Sequence, residues 1–194
     1  MANKKHLSGV EDETEVVLAV SNPLLGQGVF VFLKIPKSWR IVETPILPEC
    51  NSLGKDFVGN GFRWVTSGFI HTTLINEQKN QAYPLSLEIK EFYDSEKVLV
   101  ATQKRFEKVV RLGELIEMEK ININGHEAHY IIWTDQKRVF LKWRKVALVH
   151  LEYAVFCNVT KRLMLFRISS SNIKNFMEDK EKMLRILSSL TCHF

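Results

Sequence analysis

Apolar and polar residues alternate along most of this chain, with the two-residue period of strands, and only two stretches change to the three- and four-residue spacing of a helix. Runs at 14–20 and 28–35, the latter Val-Phe-Val-Phe-Leu-Lys-Ile after Gly28, predict strands separated by the turn residues Asn22, Pro23, Gly26 and Gly28. Pro36 ends the second run, because it has no N–H for a ladder and it restricts Ile35 before it. From Pro45 to Gly61 the residues are those of a loop. Strand-like sequence resumes over 62–75, and polar 76–81 connects it to 85–92, where Leu85, Leu87 and Ile89 oppose Ser86, Glu88 and Lys90. Asp94 or Ser95 caps a predicted helix reaching Leu112, with Leu99, Phe106, Val109 and Val110 near one stripe.

The strongest local signal is Asn124-Gly125 between two strand-like runs, since this pair is favoured in the type I′ turn of a hairpin. A polar connection at 134–137 should lead to strands at 139–143, 146–157 and 163–168. The long run is apolar on both alternation faces, with Val149, Leu151, Tyr153 and Val155 on one and Leu148, Ala154 and Phe156 on the other, so it needs cover on both. Ile173, Phe176, Met177, Leu184, Leu187 and Leu190, behind Ser171 or Asn172 as cap, predict a final amphipathic helix that supplies one cover. The expected class is α+β: an antiparallel sheet with helices on both faces, an α/β/α sandwich.

The 194 residues, 45% of them hydrophobic, suit one domain over 1–194, and no repeat or Pro/Gly/Ser-rich linker divides them. Lys and Arg number 27 against 22 Asp and Glu, a net charge of +5 that is mildly basic and short of a polybasic arm. The basic start leads into Glu11, Asp12, Glu13 and Glu15 rather than an apolar stretch, so no secretory signal is expected. No apolar run approaches the ~20 residues of a membrane span. Three cysteines, Cys50, Cys157 and Cys192, fit no zinc spacing and agree with a reducing compartment, so the expected location is the cytoplasm.

The Phe-rich strand running into Ile35-Pro36-Lys37-Ser38-Trp39, the mid-chain helix, the hairpin at Asn124-Gly125, the long strands and the last helix ending Ile186-Leu187-Ser188-Ser189-Leu190 together resemble the PsbP-like and Mog-type (Ran-binding) fold family. The resemblance covers most of the chain. It implies the PsbP-like sandwich and a non-catalytic adaptor role, since family members act on photosystem II or on the small GTPase Ran. No Ran-binding residues match, and neither partner is carried over.

Candidate chemistry adds little to that expectation. His126 and His129 are three apart, which on a strand places them on opposite faces, so this segment alone cannot bring two ligands together; His71 and His150 remain possible cross-sheet companions. Cys157 ends an apolar strand and reads as a small buried hydrophobe. There is no Gly-x-Ser-x-Gly, and Gly54-Lys55-Asp56 lacks the rest of a phosphate loop. The expectation is therefore a binding or adaptor protein with a protein partner, no catalytic residues, no metal ligands and no cofactor. One alternative rests on charge, because 137–167 holds eight basic residues and a single acidic one, Glu152. Lys137, Arg138, Lys142, Arg144 and Lys145, interleaved with Phe140 and Trp143, form a candidate surface for single-stranded nucleic acid or another anion, although strand alternation alone also explains the pattern.

Overall fold

The computed structural model describes residues 12–22, 27–43, 67–91, 95–138 and 145–193, and within them the alternating runs form strands. β1 (Glu13–Asn22) and β2 (Gln27–Pro36) pair antiparallel as a two-stranded sheet, with Glu13 opposite Pro36 and Asn22 opposite Gln27. β3 (Trp39–Glu43), β4 (Ser67–Asn76), β5 (Gln81–Glu91), β6 (Glu114–Ile123), β7 (His126–Arg138), β8 (Lys145–Cys157) and β9 (Arg162–Ser170) form a second sheet, antiparallel throughout, in the order β3-β4-β5-β9-β8-β7-β6. α1 (Ser95–Leu112) lies in the chain between β5 and β6, and α2 (Ile173–Ser188) follows β9. The molecule is thus mostly antiparallel sheet with two helices.

Local chemistry sets the joints. Asn124 and Gly125 both have positive φ, +49° and +82°, as the tight hairpin between β6 and β7 demands. Gly113, at the junction of α1 and β6, has no room for a side chain: a Cβ there would lie 1.9 Å from the carbonyl oxygen of Thr134. Asn172 caps α2, its side-chain oxygen accepting from the Asn175 N–H at 3.1 Å.

Alternate residues of the central strands enter two different apolar groups. Leu151, Tyr153 and Val155 of β8, with Tyr130 and Ile132 of β7, pack with Phe176, Met183, Ile186 and Leu187 of α2, and β1 and β2 add Leu18, Val31, Leu33 and Ile35. The residues between them, Ile131 and Trp133 of β7 and Ala154 of β8, pack with Leu163 and Leu165 of β9 and with Val98, Phe106 and Val109 of α1. Side chains as fully buried as Tyr83, Tyr153, Phe166 and Phe176 each contribute about 1.5–3 kcal/mol from burial.

One expectation changes and two features are new. Residues 134–137 are not a connection: they continue β7, with Thr134 opposite Val149 and Lys137 opposite Val146, because the long partner strand supplies the ladder that their polar composition does not advertise. Pro36 does end β2, yet a new strand begins at Trp39 and pairs with β4. The first two strands pair with each other and not within the main sheet. The expected loop at 45–61, the strand start at 62–66 and the strand at 139–143 lie outside the described residues.

Candidate functional site

The described residues bring four metal-capable side chains together at one end of the molecule: His126, Cys157, Cys192 and His193, whose ligand atoms all lie within 4.8 Å of one another. Strand register explains half of this group. Ala128 pairs with Val155, and His126 and Cys157 each stand two residues beyond that pair, on the same face of adjacent strands. The other half arrives after α2, where Thr191 and Phe32 exchange backbone hydrogen bonds at 2.9 and 3.0 Å and so attach the chain end to β2. Asn124 also donates to the Leu190 carbonyl at 3.1 Å, tying the β6–β7 hairpin to the same segment.

Within the cluster, His193 Nδ1 lies 3.3 Å from the sulfur of Cys157 and 3.3 Å from that of Cys192, while His126 Nε2 is 3.8 Å from Cys192. The two imidazole rings meet edge to face, 5.1 Å apart. Cys157 is wholly buried and His126 is 7% exposed, whereas Cys192 and His193 are half-buried. The buried Nδ1 of His126 has no hydrogen-bond partner among the described residues. Burial pushes the Cys157 thiol up, but hydrogen bonds from the side chain and backbone of Thr160, from Cys192 and from the Val159 backbone outweigh it and hold the group below its ordinary value. Cys192 is pushed up to about 12 by burial and by its hydrogen bond with Cys157. Burial, together with the neighbouring His193, lowers His126. Two thiols and two imidazoles with their ligand atoms within 4.8 Å of one another are a donor set able to hold a metal ion. Beside them lies a cavity of about 440 Å³ lined in part by Lys34, Asn124, His126, Ser189, Cys192 and His193.

His126 and His129 do face opposite ways: His129 bonds to Glu127 at 2.8 Å, away from the cluster. His150 joins neither, since its ring contacts Ser169 at 2.7 Å and Asp135 at 3.3 Å and stacks on Trp133. Cys157 is buried as expected, but among sulfur and nitrogen donors rather than in a purely apolar place. Of the basic set, Lys142 and Arg144 lie outside the described residues; Lys137, Arg138 and Lys145 take part in strand pairing at the ends of β7 and β8, and their side chains are likewise outside. Cys50 also falls outside.

Two buried carboxylates serve the fold. Asp179 of α2 is 2% exposed and accepts from Tyr83 at 2.8 Å and Asn76 at 3.0 Å, with Lys79 at 2.8 Å. Burial pushes its carboxyl up, but these hydrogen bonds prevail and hold it below the usual range. Glu152 of β8, also 2% exposed, pairs with Arg105 of α1 at 2.6 Å and with Arg167 of β9.

A second candidate surface is apolar. At the edge of the large sheet formed by the described residues, β6 leaves Leu115, Ile116 and Met118 exposed at 40, 43 and 56%, and Leu112 at the end of α1 is 61% exposed. A register shift between Leu115 and Glu117 marks a bulge at this edge. Leu115 stands opposite Trp133 and Met118 opposite Ile131, so both share the strand face whose residues pack with Val98, Phe106 and Val109 of α1. On the other side Glu117 anchors β6, accepting from Tyr130 and bonding Lys180 of α2 at 2.8 Å. No helix among the described residues is long and apolar enough to cross a membrane.

No protein-family model matches the chain, and no curated protein does. Solved structures similar to it include cyanobacterial PsbP (CyanoP) from Synechocystis sp. PCC 6803, at 13% identity and a TM-score of 0.46 over 98% of this chain and 99% of that one. The Saccharomyces cerevisiae Ran-binding protein Mog1p is similar at 10% identity and 0.48, over 94% and 96%. LpqN of Mycobacterium tuberculosis, involved in cell envelope biogenesis, is similar at 10% and 0.49, over 93% and 91%. Both branches of the resemblance read from the sequence are thus among the similar structures. A likeness of this degree concerns architecture and says nothing of activity or partner.

Proposed function

We infer that this chain is a non-catalytic, protein-binding module of the cytoplasm, a single α/β/α sandwich over 1–194 with one helix on each face, which docks a partner protein on the apolar margin formed by Leu112, Leu115, Ile116 and Met118. The margin carries the reading: these residues of the edge strand and the adjoining helix end are 40–61% exposed, while Ile131, Trp133 and Ala154, which pack with α1, are buried. Contiguous exposed apolar surface beside a sheet edge is a feature of interaction sites. The occupant that fits is an extended segment of another protein, with apolar side chains for Leu115 and Met118 and backbone groups for the outer side of β6. The buried carboxylates support the same reading, since Asp179 and Glu152 are each tied to cations and donors that attach a helix to the sheet.

Immobilised wild-type chain and a Leu115→Lys/Met118→Lys variant, both shown to be folded by circular dichroism, are exposed to native extract. The expected result is a protein retained by the wild type in proportion to the immobilised amount and released by the variant. Identical retained proteins on both would contradict the assignment of this margin.

A further inference from the structure

We propose that His126, Cys157, Cys192 and His193 bind one Zn²⁺ ion, which clamps the end of the chain after α2 to the β7–β8 end of the large sheet. The proposal rests on geometry. With Zn–S of about 2.3 Å and Zn–N of about 2.0–2.1 Å in a tetrahedron, sulfur and nitrogen ligands stand roughly 3.5 Å apart. Three of the four sulfur-to-nitrogen separations here are 3.3, 3.3 and 3.8 Å, and every pair of ligand atoms lies within 4.8 Å. Closing the widest of these pairs is the movement that coordination requires.

Chemistry selects the ion. Two thiolates with two imidazoles in a tetrahedral set suit zinc, while calcium and magnesium require oxygen ligands. Cys157 already accepts the backbone N–H of Thr160 at 3.3 Å, the kind of outer contact that supports a coordinating thiolate. His126 is more than nine-tenths buried, and its Nδ1 has no hydrogen-bond partner among the described residues. Its Nε2, 3.8 Å from the Cys192 sulfur, is the ring nitrogen on the cluster side and the one that would coordinate. The adjoining cavity of about 440 Å³ and the half-buried Cys192 and His193 give the ion a way in. On binding, the two thiols each release a proton and no oxidation state changes.

The consequence is mechanical. The segment 190–193 is otherwise attached by the burial of Leu190 in the core, the Thr191–Phe32 backbone pair and the Asn124 side chain. Joining Cys192 and His193 to His126 and Cys157 through one ion adds a cross-link between chain regions that are distant in sequence, and zinc then stabilises the native state by mass action.

The test uses the full-length chain, reduced and freed of metal, titrated with Zn²⁺ against a chromophoric chelator and separately with Co²⁺. One Zn²⁺ per chain, a raised melting temperature and the visible spectrum of tetrahedral Co²⁺ with thiolate charge transfer are expected. Cys192→Ser and His193→Ala lie in the half-buried tail, so they should remain folded by circular dichroism; each should weaken zinc binding by more than about tenfold, the loss that even an outer-shell partner of a metal site can carry. His129→Ala, on the opposite face, should bind as wild type. Failure to bind zinc, unchanged affinity in both tail variants, or a Cys157–Cys192 disulfide in protein isolated without reductant would overturn the proposal.

Discussion

The two helices are fixed to the large sheet by the same device, a buried carboxylate answered by basic or hydrogen-bonding side chains, yet they close their surroundings to different degrees. On α2 the acid belongs to the helix: Asp179 reaches Lys79, Tyr83 and Asn76 around the β4–β5 turn, and Phe176, Met183, Ile186 and Leu187 lie among an extensive apolar group that also takes in β1 and β2. On α1 the acid belongs to the sheet: Glu152 receives Arg105 from the helix, and the apolar contribution described for α1 is Val98, Phe106 and Val109. Around α2 the flanking Ile173, Met177 and Leu184 are still half-buried. Beside α1 the apolar surface runs out to Leu112, Leu115 and Met118 at the edge. The difference separates a part of the molecule that closes on its own core from an edge that leaves apolar side chains exposed.

The largest stability effect should come from the α2 group. Phe176→Ala removes a wholly buried ring and should cost about 3–5 kcal/mol in urea unfolding. A loss below about 1 kcal/mol would mean that α2 is not the principal cover. Asp179→Ala should cost about 2–3 kcal/mol, because the buried Asn76 amide loses its acceptor and Tyr83 loses its shorter one. Arg105→Ala should cost less, about 1–2 kcal/mol, since Arg167 still answers Glu152.

Asp179 also makes the comparison depend on pH. Its carboxyl is held below the ordinary value of 3.8, so the stability it contributes is complete above that value and is lost as pH falls through the lower native one. The urea midpoint of the wild type should therefore fall more steeply than that of Asp179→Asn between about pH 4 and pH 2, the region below an unperturbed Asp. Parallel curves would remove Asp179 as the acid-sensitive attachment. The smallest stability change belongs to the edge: Leu115→Lys and Met118→Lys should each stay within about 0.5 kcal/mol of wild type, as exposed positions do.

What the sequence revealed follows the range of the interactions involved. The Asn124-Gly125 hairpin was legible because positive φ at two adjacent residues is a local demand with a local solution. α2 was legible from its stripe, although Asp179 interrupts that stripe as a buried acid whose partners lie about a hundred residues away. The continuation of β7 through 134–137 was not, because the pairing comes from β8 and not from the polar residues themselves. Nor could spacing reveal His126, Cys157, Cys192 and His193, since a strand register and the return of the chain end to β2 bring them together. The one clue present was two cysteines and two histidines at strand ends and near the terminus.

The central claim, that partners meet the α1 side of β6 and not the exposed surface of α2, is tested most directly by placing a photo-crosslinking amino acid at Met118 and, in a separate chain, at the exposed Lys174 of α2. In native extract the account predicts a discrete cross-linked protein from position 118, abolished when Leu115→Lys is added, and none of that species from position 174. The same species from both positions, or one that persists with Leu115→Lys, would contradict it.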